Sequence, residues 1–380
     1  MTLLPGTRVL DLSQWLPGPM AGQLLADLGA AVCKVEPPGG DPMRALGPVD
    51  DDGVSAWYKA INAGKTVVRL DLKSGEGRDA FRRLVAEADI LLESYRPGTL
   101  DKLGLGRDSL AALNPRLVHC ALSGYGQTGP YALKGGHDIN YMAVGGGLAA
   151  SGPEAAPVMT YPPVADHASA LQAVVVILAA LLRRGGGPEA GRGAYLDVSL
   201  TETVLAWQAL PMTGALRPGW QPTRGRALLN GGAACYRVYG TADGRFVTLG
   251  AIEAKFWRCF CEAVGRPGLV ARQWEPFPQK ALIAEVEAIF AGQPLAHWTA
   301  LLGPLDCCFE PVPELAEVPD HPQVAARGQI RRRGQEPGEG PRVESLLGAW
   351  IDGSPPPDRA PLRELEPAAA LAAWRRSAAV

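Results

Sequence analysis

The chain lacks an excess of charge of either sign: 37 Lys and Arg stand against 39 Asp and Glu, a formal balance of −2 at pH 7. Without a basic surplus it has little with which to release counterions from a nucleic acid, so no nucleic-acid partner is expected. A local basic site for one phosphorylated ligand stays open. No apolar run approaches twenty residues, and residues 1–6 do not lead a basic stretch into an apolar one. The reading is therefore a cytoplasmic protein with no membrane partner. A disulfide framework is missing as well, because the seven cysteines are odd in number and irregularly placed. Cys259 with Cys261, and Cys307 with Cys308, lack the spacing that tetrahedral zinc takes, so buried thiols and no metal are expected.

What is present is ordinary globular material, 47% hydrophobic and 20% charged over 380 residues, enough for two domains or one with a large insertion. Short β-rich runs at 7–12, 31–36, 66–70, 89–92 and 117–122 alternate with helical patterns at 20–28, 75–88 and 108–113. That alternation predicts an α/β fold, a doubly wound parallel sheet covered by helices. Residues 166–184 form a long Ala, Leu and Val run without Gly or Pro, read as a buried helix that ends at Gly185-Gly186-Gly187-Pro188. A further helix is expected over 199–215.

Gly, Pro and Arg then crowd 216–232, a linker signal. Runs at 235–239 and 246–249 flank Asp243-Gly244, which predicts a hairpin, and helical patterns follow near 253–264, 279–290 and 294–302. The expected organisation is a large α/β domain over 1–215, a linker over 216–232, a smaller α+β domain over 233–318, and a segment over 319–380 that returns to the large domain. Within that last segment 319–361 has few periodic runs and 362–376 reads as a final helix.

Gly124-Tyr125-Gly126-Gln127-Thr128-Gly129 follows a strand with the spacing of a dinucleotide-binding turn. Pro130, Gly135 and Gly136 come next where that turn needs a helix, so nicotinamide binding is not expected. The loop is either a plain glycine-rich turn or a cradle of backbone N–H groups for a phosphate or an oxyanion. Three acid–base residues sit at loop-to-helix boundaries: His137, Asp166 and Glu253. For Asp166 and Glu253 helix capping competes with catalysis, and for His137 a structural role does. Trp15, Leu16, Tyr141, Met142 and Met212 are either core or pocket lining.

Several stretches carry a family likeness: Leu24-Leu25-Ala26-Asp27-Leu28-Gly29-Ala30, Asn62-Ala63-Gly64-Lys65, Leu70-Asp71-Leu72-Lys73, Tyr95-Arg96-Pro97-Gly98, the Gly124 to Pro130 loop, Arg224-Gly225 with Gly231-Gly232-Ala233, and Pro311-Val312. Together they resemble the family III CoA-transferases along nearly the whole chain. Gly136-His137-Asp138-Ile139-Asn140-Tyr141, Pro17-Gly18-Pro19 and Gly250-Ala251-Ile252-Glu253 look like the alpha-methylacyl-CoA racemase branch. The resemblance implies an interlaced homodimer whose active site lies between the large domain of one subunit and the small domain of the other.

It further implies an acyl-CoA substrate and no cofactor beyond the CoA moiety, with His137 and Glu253 as an acid–base pair on one side and Asp166 on the other. The implied reaction inverts the α-carbon of a 2-methylacyl-CoA by proton transfer through an enolate. Lys73, Arg96 and Lys102 are implied to hold CoA, together with the Gly124, Tyr125 and Gly126 loop. The chain departs from its relatives at Pro37, where many carry Arg, and at Pro162 and His167-Ala168-Ser169, where racemases show Asn and a glycine-rich run. The alternatives are a CoA-transferase that passes CoA between carboxylic acids through an aspartyl-CoA at Asp166, and a non-catalytic acyl-CoA-binding relative.

Overall fold

The structure, a computed structural model, describes residues 2–219, 223–334 and 340–377. Positions 220–222 of the expected linker, and 335–339 and 378–380 of the C-terminal segment, lie outside the described residues. The strands in chain order are β1 Arg8–Asp11, β2 Ala31–Glu36, β3 Thr66–Arg69, β4 Ile90–Glu93, β5 Val118–Ser123, β6 Ala194–Ser199, β7 Tyr236–Gly240, β8 Phe246–Gly250, β9 Phe309–Pro311, β10 Ile330–Arg333, β11 Arg342–Ser345 and β12 Arg363–Glu364. The α-helices are α1 Pro17–Asp27, α2 Ala56–Asn62, α3 Gly75–Glu87, α4 Thr99–Lys102, α5 Arg107–Leu113, α6 Asp138–Val144, α7 Val164–Gly185, α8 Leu200–Trp207, α9 Ala209–Gly214, α10 Ala254–Ala263, α11 Lys280–Ala291, α12 Leu295–Leu302, α13 Pro322–Arg327 and α14 Pro367–Ser377.

Two compact units divide the chain. The first takes in Met1–Gly145, Tyr161–Ala206 and Pro319–Val380, the second Gly146–Thr160 and Trp207–Val318. The first unit therefore departs from the expected run of 1–215: residues 146–160 and 207–215 belong with the second. Local bonds explain the first of these. Arg226 pairs with Glu154 at 2.6 Å, and Asn230 Nδ2 donates to the Ala150 carbonyl at 3.2 Å.

The first unit is built on a seven-stranded parallel sheet in the order β12-β3-β2-β1-β4-β5-β6. Its central strands are apolar on both faces, as a sheet covered by helices on both sides requires. On one face α3 inserts Ala80, Phe81, Leu84 and Val85, spaced at helical period, against Leu10, Val35, Val68 and Leu91. The Ser74 hydroxyl starts that helix by accepting the Gly77 N–H at 3.0 Å, and α14 adds Trp374 to the same layer. Full burial of Phe81 contributes about 1.5–3 kcal/mol. On the other face α1 and α7 pack together, α7 lying along β5 and β6. Alpha7 is long and apolar enough to cross a bilayer, yet Ala165, Ala168, Ala170, Ala173 and Ile177 are buried against protein.

Beta6 lies in a stretch for which no element was expected; Asp197 interrupts its apolar run, and pairing with β5 makes it a strand. Four local expectations are corrected. The expected helix over 199–215 breaks at Gln208 into α8 and α9. The stretch read as aperiodic holds the β10–β11 hairpin, and residues 363–364 extend the sheet before α14 begins at Pro367, a residue suited to a first helical turn. Asp166 is not the cap of α7: the helix starts at Val164 with Pro163 in the capping position, which places Asp166 in the first turn.

The second unit pairs β7, β8 and β9 into an antiparallel three-stranded sheet, with α10 to α12 inserted between β8 and β9. Its hairpin turns at Gly244, φ +75°, while the Asp243 carboxylate accepts from the Thr241 hydroxyl and the Leu295 N–H. Alpha10, α11 and α12 supply Trp257, Phe260, Phe290 and Trp298 to its core.

Candidate active site

In an open parallel sheet, ligands bind beyond the carboxyl ends of the strands where the winding reverses. Here the chain leaves β1 toward β2 and β3, then returns to the opposite side through β4, β5 and β6, so the reversal falls between β1 and β4. The turns after both strands meet there, the Gln14 N–H donating to Ser94 Oγ at 3.0 Å. Beside them the carboxyl ends of β2 and β3 and the loop after β4 form a cleft of about 580 Å³, lined among others by Pro37, Leu70, Lys73, Tyr95 and Lys102. Lys73 and Lys102 are exposed on its walls, free of the desolvation cost a buried ammonium carries. Arg96 follows Tyr95, and its Nη2 lies 3.1 Å from where a side chain on Gly135 would begin.

The turn after β1 stands on a buried charge network. Asp11, Lys34 and Lys65 are fully buried and Asp41 nearly so. Lys65 Nζ donates to Asp11 at 3.1 Å, to the Pro19 carbonyl at 2.8 Å and to Asn62 at 2.9 Å. Lys34 Nζ donates to the Ser13 carbonyl at 2.7 Å and pairs with Asp41 at 2.8 Å. Burial alone raises the Asp11 pKa, but Lys65, Lys34 and the Ser13 donors outweigh it and hold the group below its ordinary value. Burial pushes the Lys65 ammonium down to about 8, with Asp11 opposing. The close approach needs Gly22, since a Cβ there sits 2.7 Å from Asp11 Oδ2. Trp15 then takes φ +66°, a conformation that costs a bulky residue about 1–3 kcal/mol.

The glycine-rich loop after β5 packs aromatic rings. Tyr125 meets Tyr131 and Tyr141 edge-on at 5.4 and 5.1 Å. A Cβ on Gly124 falls 2.4 Å from the Tyr141 ring, so only glycine fits. The Tyr141 hydroxyl donates to the Gly136 carbonyl at 2.5 Å, and Gly136 itself faces the Tyr125 hydroxyl. Gly126 has φ +84° and the following Gln127 N–H is taken by the Asp197 carboxylate at 3.0 Å. The loop thus fixes the backbone immediately before His137.

His137 is exposed at the N-terminal end of α6. Asn140 fixes its backbone from both sides: the His137 N–H donates to Asn140 Oδ1 at 3.0 Å and its carbonyl accepts the Asn140 N–H at 2.8 Å. Asp138, the next residue, accepts the Asp166 N–H at 3.1 Å and so ties the starts of α6 and α7 together. Burial, helped by the like charge of Asp138, pushes the half-buried Asp166 carboxyl up to about 7. An imidazole and a carboxyl that gains or loses its proton near neutral pH therefore stand at the joined ends of two helices. After Asp166, His167 Nδ1 contacts the Pro163 carbonyl at 2.7 Å and the Ser169 hydroxyl donates to the Asp166 carbonyl at 3.0 Å.

Glu253 lies in the second unit, exposed between β8 and α10. It occupies the capping position of α10 but its side chain makes no capping bond. Among the described residues no cluster of three or more His, Cys, Asp or Glu is arranged to hold a metal. Of the apolar candidates, Tyr141 and Met142 are buried while Trp15 and, in the second unit, Met212 are exposed. Sequence reasoning missed Asp138. Its signal was an acidic residue directly after the histidine, at the start of a helix.

A cleft beside the switch point with two exposed lysines suits the phosphates of a carrier, and an imidazole and a perturbed carboxyl at the joined starts of two helices suit proton transfer. The chain belongs to CoA-transferase family III, whose family model matches residues 4–361. It is 33% identical over 349 residues to an alpha-methylacyl-CoA racemase from Mus musculus, covering 88% of this chain and 84% of that one. It is 36% identical over 342 residues to a succinate–glutarate CoA-transferase from Agrobacterium fabrum, covering 86% and 84%. A crystal structure of a CAIB/BAIF family protein from Brucella suis matches with a TM-score of 0.82 at 29% identity, covering 99% of both chains.

Proposed function

We propose that the protein is an acyl-CoA racemase that inverts the α-carbon of a 2-methylacyl-CoA. The observation that carries the reading is the Asp166 carboxyl, pushed up to about 7 and tied through Asp138 to the helix start bearing His137. A base works best with a pKa near the ambient pH, whereas a carboxylate meant as a nucleophile gains from being held ionised. Asp166 takes the α-proton of one enantiomer, the carbonyl π-electrons move to oxygen, and protonated His137 returns a proton to the opposite face as the carbonyl re-forms. The other enantiomer runs the same steps with the two residues exchanged. The Val164 and Ala165 N–H groups, which the first turn of a helix leaves without intrahelical partners, stabilise the enolate oxygen. The cleft at Lys73 and Lys102 takes the CoA nucleotide, with Arg96 beside it, and the steps use no group beyond the CoA moiety.

In this reading Glu253 reaches His137 from a second copy of the chain. The exposed Val144, Leu171, Val175, Leu182 and Leu205 of the first unit support a second copy, since apolar surface of this extent usually marks an interface. Incubating a 2-methylacyl-CoA with the protein in heavy water, with no acceptor acid, should place deuterium at C2. His137→Ala should stop the exchange for one enantiomer and leave CoA binding intact. No deuterium uptake, together with CoA moving onto a free acid through a hydroxylamine-sensitive adduct at Asp166, refutes the racemase and makes the protein a CoA-transferase.

A further inference from the structure

We propose that Trp15 is a positioning residue: its indole holds the His137 imidazole in the orientation from which it exchanges a proton, and the buried charges beneath the turn keep the indole in place. The inference rests on the racemase reading of the site. Its first support is conformational. Among the described residues the left-handed region is left almost wholly to glycine, and the other exceptions are Cys308 and Asp352. A tryptophan at φ +66° that remains 46% exposed is not there for the core. Strain of this kind persists only where surrounding structure over-determines it, and it gathers at functional sites.

The surroundings do over-determine it. Ser13 is bonded through its N–H and hydroxyl to buried Asp11 and through its carbonyl to buried Lys34, and Gln14 is bonded to Ser94. On the far side Pro17 and Gly18 open α1, and a Cβ on Gly18 falls 2.1 Å from the Ser13 side chain. Trp15 therefore has little freedom of backbone. Its ring stands perpendicular to the His137 ring, with centroids 6.5 Å apart and an interplanar angle of 88°. Asn140 fixes the backbone of His137 but not its side-chain torsions. An edge-on aromatic neighbour restricts those torsions without taking up a ring nitrogen, which both donating and accepting a proton require.

The test compares Trp15→Ala, Trp15→Gly and Trp15→Phe with the wild type. Deuterium exchange at C2 should slow about 10–100-fold in Trp15→Ala and Trp15→Gly, the loss expected when a reacting group is misplaced. It should recover to within about fivefold in Trp15→Phe, which keeps an aromatic edge. CoA affinity should change less than about twofold in all three, which separates positioning from binding. Trp15→Gly should melt above Trp15→Ala, because glycine accepts a positive φ without strain, so stability and rate part company. A Trp15→Gly enzyme with the wild-type rate, or a Trp15→Phe enzyme as slow as Trp15→Ala, overturns the inference. If the wild type exchanges no deuterium, the racemase reading fails instead. The ring contact is then judged by the ¹³Cε1 resonance of His137, which the indole ring current should displace in the wild type and not in Trp15→Gly; an unmoved resonance overturns the contact on its own.

Discussion

Replacing Asp138 by asparagine isolates the part of the Asp166 perturbation that comes from charge. Asparagine keeps a carbonyl oxygen to accept the Asp166 N–H, so the tie between α6 and α7 survives while the negative charge goes. The carboxyl of Asp166 rises from 3.8 to about 7, with burial the larger cause and Asp138 the second. Charge therefore accounts for less than half of that rise, and the variant's pKa should fall by about one unit. With Asp166 as the base, exchange rises with pH as the carboxyl ionises, so the midpoint should move from near 7 to about 6. The plateau should drop about threefold, because a weaker base removes the proton more slowly. The assay is the initial rate of deuterium uptake at C2 between pH 5 and 9, using the enantiomer whose exchange survives His137→Ala. A midpoint that stays at 7 in an active variant, or rises, refutes the assignment of Asp166 as the base. Stability has its own sign. The folded carboxyl binds its proton more tightly than the unfolded one, so its contribution is intact below pH 4 and is lost as pH climbs through 7. Asp166→Asn should accordingly gain stability over the wild type at pH 8, by about 2 kcal/mol after allowance for partial exposure, and show little gain at pH 4.

Three further outcomes are expected. Lys65→Met strands the fully buried Asp11 carboxylate and should cost about 3–5 kcal/mol in urea unfolding, while the double variant Asp11→Leu/Lys65→Met should recover about half of that; a single variant within 1 kcal/mol of wild type would contradict the network. Gly124→Ala drives a methyl into the Tyr141 ring and should displace α6, lowering exchange about tenfold with a stability loss of about 1–3 kcal/mol, and an unchanged rate would separate the loop from the site. Lys73→Ala and Lys102→Ala should each weaken CoA binding about 3–10-fold by calorimetry, with a shallower dependence on salt, and retention of full affinity would move the nucleotide elsewhere.

How much of this was legible differs from element to element. Strands β1 to β5 were readable because each is a short apolar run between turn signals, and α3 because Ser74 caps it and its apolar residues keep helical period. Beta6 and the β10–β11 hairpin were not. Their residues, Asp197 in one and Arg331, Arg332 and Arg333 in the other, are polar enough to read as loop, and only a partner strand supplies the missing bonds. The boundary near 145 was hidden because residues 146–160 find their partners at Arg226 and Asn230, far along the chain, and that pairing leaves no local signal.

The sequence alone determined the class of fold and the kind of chemistry, since periodicity, punctuation and a family likeness all live in the order of residues. His137, Asp166 and the lysines stood out because the proposed chemistry needs side chains of their types. Tertiary structure decided the surroundings of each. Burial and the neighbouring Asp138 turned Asp166 from an ordinary carboxylate into one that holds a proton near neutrality, and a buried ion network set Trp15 against His137. Desolvation and through-space charge depend on what surrounds a group in three dimensions, which residue order does not contain.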